Sequence, residues 1–152
     1  MSDNDALYVT YADGACRRNP GPMGMGALII NPGGTVIHKL SYAMPWGTNN
    51  QAEYLAAIAA LEQARRLGVR RLELRMDSEL VVRQLTGEYR VKNEGLQPLH
   101  ERATRLLRTF ERWRCVHVRR GENWRADKLA NKALDQAESP PKNSDRPAGV
   151  VG

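Results

Sequence analysis

The stretch TNNQAEYLAAIAALEQA, residues 48–64, restricts the possible fold more than any other part of the chain. At 3.6 residues per turn, Ala56, Ala57, Ala60 and Ala64 fall on one stripe of a helix, with Glu53 at its head. A stripe of methyl groups lets a helix lie unusually close to a neighbouring sheet. The solvated residues Glu62, Gln63, Arg65 and Arg66 gather at the far end. Glu53 has no basic residue three or four positions away. Local chemistry offers it a capping box, with Asn50 as N-cap and Glu53 three residues on, favoured further by the positive helix N-terminus.

The segments around this helix supply the sheet. LYVTYADGA alternates and is rich in β-formers, so it predicts a strand ending at Asp13, followed by a Gly/Pro-rich loop, GACRRNPGPMGMG. ALII, the turn NPGG and TVIHKLSYAM predict two more strands in an antiparallel meander. Gly68 closes the helix as its C′ residue. In RRLELRMDS, Leu72, Leu74 and Met76 alternate with polar residues up to Asp77, giving a fourth strand. Ser78 caps a short helix, ELVVRQL. Leu96, Leu99, Ala103, Leu106, Leu107 and Phe110 form a further helical stripe. RCVHV is a fifth strand, and NWRADKLANKALDQA a last helix with Asn123 as its cap. The order βββαβααβα predicts an α/β fold: a five-stranded mixed sheet, three antiparallel strands then parallel βα units, with helices on both faces.

At 152 residues the chain suits a single domain, placed at 1–138. ESPPKNSDRPAGVVG is rich in Pro, Gly and Ser, so 139–152 is expected to be a disordered tail or linker remnant. Cys16 and Cys115 form no CxxC pair, and no stretch approaches the ~20 apolar residues of a membrane span. A cytoplasmic monomer, with neither a membrane nor an obligatory protein partner, is expected. The net charge of +6 is unevenly placed: residues 90–132 hold 12 Lys and Arg against 5 Asp and Glu, while the remainder is slightly acidic. Concentrated positive charge suits a polyanion, because Lys and Arg that neutralise phosphates release condensed counterions.

Asp13, Glu53, Asp77 and Asp127 each sit on the last residue of a strand or the first turns of a helix. Singly, each has an ordinary explanation as a turn or cap residue. Together, four unpaired carboxylates at one end of a sheet would repel and raise one another's pKa values, which a divalent cation relieves. No His or Cys pair stands at ligand spacing, so the donor set is all oxygen and suits Mg²⁺ or Mn²⁺ rather than zinc. Beside a basic surface, such a site points to phosphoryl chemistry.

YADGACRRNPGPMGMG, TNNQAEYLAAIAALE, RMDSELVVRQL and ENWRADKLANKAL, in that order and spacing, resemble type 1 ribonuclease H from about Tyr8 to Ala137. The resemblance implies the ribonuclease H fold. It also implies two-metal-ion hydrolysis of the RNA strand of an RNA/DNA hybrid, with 5′-phosphate and 3′-hydroxyl products. By this likeness two Mg²⁺ ions, replaceable by Mn²⁺, are held by the catalytic carboxylates: Asp13 bridges both, Asp127 helps hold the ion that activates water, and Glu53 and Asp77 hold the other. Asn49, Gln51, Asn19 and the backbone of Gly14, Ala15 and Cys16 correspond to positions that meet the RNA strand, where the 2′-hydroxyl distinguishes RNA from DNA. Thr48 and Asn50 correspond to a pocket for a DNA-strand phosphate.

Two features depart from the family pattern. No Lys- and Trp-rich excursion lies between Ser78 and Leu99, and the loop RRGEN lacks the histidine many members carry. Arg119 or Arg120 is expected to take over its auxiliary role, with His117 structural. A catalytically silent hybrid- or duplex-binding module and another nuclease of the superfamily, such as a junction resolvase, are the rival readings.

Overall fold

The computed structural model describes residues 6–138; the expected tail, 139–152, lies outside the described residues. Strands β1 (Leu7–Cys16), β2 (Gly21–Ile30) and β3 (Val36–Gly47) form the antiparallel meander. After helix α1 (Asn49–Arg66) comes β4 (Arg71–Met76), parallel to β1. Helices α2 (Glu79–Leu85) and α3 (Gln97–Leu107) lead to β5 (Arg112–His117), parallel to β4. A single 3₁₀ turn (Arg120–Asn123) then enters α4 (Trp124–Glu138). The sheet order β3-β2-β1-β4-β5 puts β1 at the centre, and the element order is the expected one.

The alanine stripe does what its composition demands. Ala56, Ala57, Ala60 and Ala64 are wholly buried against the sheet face that presents Ala12, Ala27, Ile29, Leu72 and Leu74. α3 covers the same core with Ala103, Leu106 and Leu107. The opposite face carries α4, whose Ala126 and Ala130 lie directly over Gly24 and Gly26.

Three local expectations are corrected. The segment following Asp13 is not a long loop: β1 runs on to Cys16, β2 starts at Gly21, and only 17–20 turn the chain. Gly14, Gly24 and Gly26 are strand residues where a helix backbone comes too near for a Cβ, a close-packing role that a breaker reading of glycine misses. The cap of α1 is Thr48 rather than Asn50. Thr48 Oγ1 accepts from the Gln51 amide (3.2 Å), while Gln51 Oε1 accepts from the Thr48 amide (3.0 Å), completing a capping box two residues earlier. Asn123 closes the 3₁₀ turn instead of capping α4. It is buried, and its Nδ2 donates to the Ala12 carbonyl (3.0 Å), tying the last loop to the central strand.

Candidate active site

With its cap satisfied by Gln51, Glu53 is left free at the fifth position of α1, pointing along the buried stripe toward β1. Gly14 makes this approach possible. A Cβ there would collide with the backbone of Ala52 and Glu53, and the Gly14 amide donates to Glu53 Oε1. Asp13 projects from the neighbouring position of β1, and Asp77 follows the last residue of the adjacent β4. One carboxylate oxygen from each of Asp13, Glu53 and Asp77 lies within 4.8 Å of the other two. Asp13 is 5% exposed and Glu53 7%, and among the described residues no basic side chain pairs with either.

Burial without a countercharge has the electrostatic consequence expected of it. Asp13 is pushed up to about 10, first by desolvation and then by the charges of Glu53 and Asp77. Glu53 rises to about 7, again mainly through desolvation, with the Gly14 amide opposing the shift. A protonated Asp13 can donate to Glu53, so in the protein alone the pair holds a proton near neutral pH.

Asp127 stands in the first turn of α4 and lines the same cleft, of about 470 Å³, but lies outside the close triad. Its carboxylate is steadied by Asn131 one helical turn on, whose Nδ2 donates to Asp127 Oδ1 (3.2 Å) and to the Asp127 carbonyl (2.9 Å). Asn131 and Ser78 both line the cleft and were not among the expected site residues. Their signal was positional only: four residues after one carboxylate, and directly after another.

The expected substrate-contacting residues divide into two groups. Gly14, Ala15, Cys16, Asn49 and Asn50 line the cleft. Thr48, Gln51 and Asn19 build its wall: the first two form the capping box, and Asn19 Oδ1 accepts from the Asn49 amide (3.0 Å), tying the β1–β2 turn to the start of α1. Of the two loop arginines, Arg120 lines the cleft. Arg119 does not; its amide donates to Glu122 Oε1 (3.3 Å). His117 Nε2 donates to the Asp77 carbonyl (3.3 Å) from an exposed position outside the cleft lining.

The chain's arrangement has clear counterparts. Residues 11–133 match the family model described as reverse transcriptase-like. Ribonuclease HI of Halobacterium salinarum is 46% identical over 135 residues, covering 89% of this chain and 68% of that protein. A bifunctional protein of Mycobacterium tuberculosis is 40% identical over 144 residues, and there the match spans 94% of this chain but only 40% of the relative. Among solved structures, RNase H1 from Halobacterium salinarum superposes with a TM-score of 0.84 at 44% identity, over 86% of this chain and 98% of that one. LC11-RNase H1 in complex with an RNA/DNA hybrid superposes with a TM-score of 0.82 at 39% identity, over 87% and 99%.

Proposed function

This chain belongs to the ribonuclease HI family, nucleases that act on RNA/DNA hybrids, and from that premise we propose that its acidic cleft cuts the RNA strand of such hybrids endonucleolytically. The observation that carries the reading is the convergence of Asp13, Glu53 and Asp77 within 4.8 Å, with Asp127 in the same cleft. Three carboxylates so close, two of them buried and protonation-prone, form a poor structural element and a good cradle for hard cations. The donor set is all oxygen, and the triad contains no His or Cys, which fits Mg²⁺, with Mn²⁺ as substitute. Asp13 would be shared by two ions, with Glu53 and Asp77 completing one site and Asp127 the other. Bound there, the ions would lower the pKa of a water and compensate charge on the leaving oxygen.

The protein's own groups supply position and selectivity. Asn49 and Asn50, at the N-terminus of α1, and the strand backbone from Gly14 to Cys16 form one wall of the cleft. Amides of this kind can both donate to and accept from a 2′-hydroxyl, the group that DNA lacks. Thr48 keeps its hydroxyl proton after capping and, with Asn50, would meet a phosphate of the DNA strand near the helix N-terminus. Asn131 orients the Asp127 carboxylate. Arg120 offers paired hydrogen bonds to the scissile phosphate. In the overall step a water oxygen bonds to phosphorus, the P–O3′ bond breaks, and the water proton is balanced by one taken up at O3′. The products are a 5′-phosphate and a 3′-hydroxyl. Two free thiols, Cys16 and Cys115, accord with a reducing cytoplasm, and a monomer suffices because the whole cleft comes from one chain.

A cleavage panel tests this reading. With Mg²⁺, a hybrid should be cut in its RNA strand, and a DNA duplex and a four-way DNA junction should survive. Cutting of the junction would instead favour a resolvase, and binding without cutting would favour a silent module.

A further inference from the structure

A second groove, of about 310 Å³, lies between α4 and strands β2 and β3. Its walls carry Lys39, Arg125, Lys128 and Lys132, its floor is Leu28, and Trp124 stands at one end, 58% exposed. The acidic residues of α4 all point elsewhere. Asp127 faces the active-site cleft, while Asp135 and Glu138 pair with Arg17. Among the described residues none of the four groove cations makes an ion pair; Arg125 instead stacks on the Tyr11 ring, 5.5 Å from its centroid. Four unneutralised cations converging on one groove repel one another, so this face is electrostatically incomplete without an anion. An exposed indole beside a cationic track is the combination used to hold single strands, since an unpaired base can stack on it and a base inside a duplex cannot.

We propose that this groove binds a single-stranded nucleic-acid segment flanking the hybrid. Trp124 is three residues before Asp127, so the track begins beside the acidic cleft. From Trp124 to Lys132 it runs eight residues along α4, roughly 12 Å, enough for on the order of three nucleotides. The groove thereby supplies substrate grip in a chain without a basic excursion between α2 and α3, and favours hybrids that end in an unpaired strand.

The inference rests on the hybrid-cleavage reading for its substrate, so its first test avoids cleavage altogether. Fluorescence anisotropy of labelled oligouridine, with chelator present, should report binding that weakens about tenfold or more in both Trp124→Ala and the double variant Lys128→Glu, Lys132→Glu. The second test compares a blunt hybrid with the same hybrid carrying an oligouridine overhang, under Mg²⁺. Wild type should show a KM several-fold lower for the overhang substrate. The variants should lose that difference while keeping wild-type kcat on the blunt hybrid, which also certifies their fold. Equal KM values for the two substrates in wild type, or an overhang preference that survives in both variants, would overturn the proposal. So would oligouridine binding unaffected by the substitutions, or charge-reversal effects seen only with anionic phospholipid vesicles. Failure to cut either hybrid, with oligouridine binding intact, would instead count against the hybrid-cleavage reading.

Discussion

Gly26→Ala separates the packing of α4 from the chemistry that α4 carries. A Cβ on Gly26 would lie 2.5 Å from the Ala130 amide nitrogen, 2.8 Å from Leu129 Cβ and closer still to the Ala126 carbonyl, whereas ordinary contact begins at 3.4 Å. Two of the three obstructing atoms are backbone, so no rotamer change relieves the clash, and α4 must retreat from β2 by roughly 1 Å. Inserting one methyl into so tight an interface costs about 1–3 kcal/mol. At about 2–4 °C per kcal/mol for a chain of this size, calorimetry should find a clear fall in Tm. The same displacement moves Asp127, one residue from the contact, away from the triad. An ångström of misplacement at a catalytic group is worth about 100-fold in rate. Steady-state kinetics on a hybrid at saturating substrate should therefore show a kcat loss larger than the stability loss alone would give. Gly121→Ala, where an added Cβ meets nothing within 4 Å, should be silent in both assays. Wild-type Tm and kcat in Gly26→Ala would refute the claim that α4 is held at contact distance and that this distance sets the site.

Because Asp13 and Glu53 have raised folded-state pKa values, their contribution to the metal-free protein is most favourable below the unfolded carboxylate range and is lost as pH rises from about 4 toward 10. In chelator, Tm should fall across that window; Asp13→Asn should flatten the profile and raise Tm at neutral pH while abolishing hybrid cleavage under Mg²⁺. Arg120→Ala should lower kcat with substrate saturating, Arg119→Ala should at most raise KM, and His117→Ala should leave the pH–rate profile in place; a kcat loss confined to His117→Ala would reverse the assignment. Asn131→Ala should cost about 10–100-fold in activity or in the apparent affinity for Mg²⁺, since it frees the Asp127 carboxylate, and unchanged Mg²⁺ titration curves would remove that role.

The kinds and order of the elements were legible in the amino-acid sequence, because those follow from periodicity. Alternation in Leu72, Leu74 and Met76 specifies a strand wherever it packs, and the alanine stripe after Glu53 requires a sheet to lie on. The sequence also picked out Asp13, Glu53, Asp77 and Asp127 as carboxylates near the ends of elements, although β1 runs three residues past Asp13. What it could not decide was which of several equivalent local partners each polar group would take. Thr48, Asn49 and Asn50 can all cap a helix, and the choice of Thr48 depends on where β3 delivers the chain. Gly24 and Gly26 read as turn residues until α4, about a hundred positions later, presses its backbone onto them. Arg119 and Arg120 are chemically identical neighbours, and a 3₁₀ turn anchored by buried Asn123 to β1 decides that only Arg120 reaches the cleft. Periodicity and capping are properties of a few consecutive residues; helix-to-sheet distance, side-chain direction and convergence of carboxylates from β1, α1, β4 and α4 are properties of contacts made across the chain, and only the tertiary structure sets them.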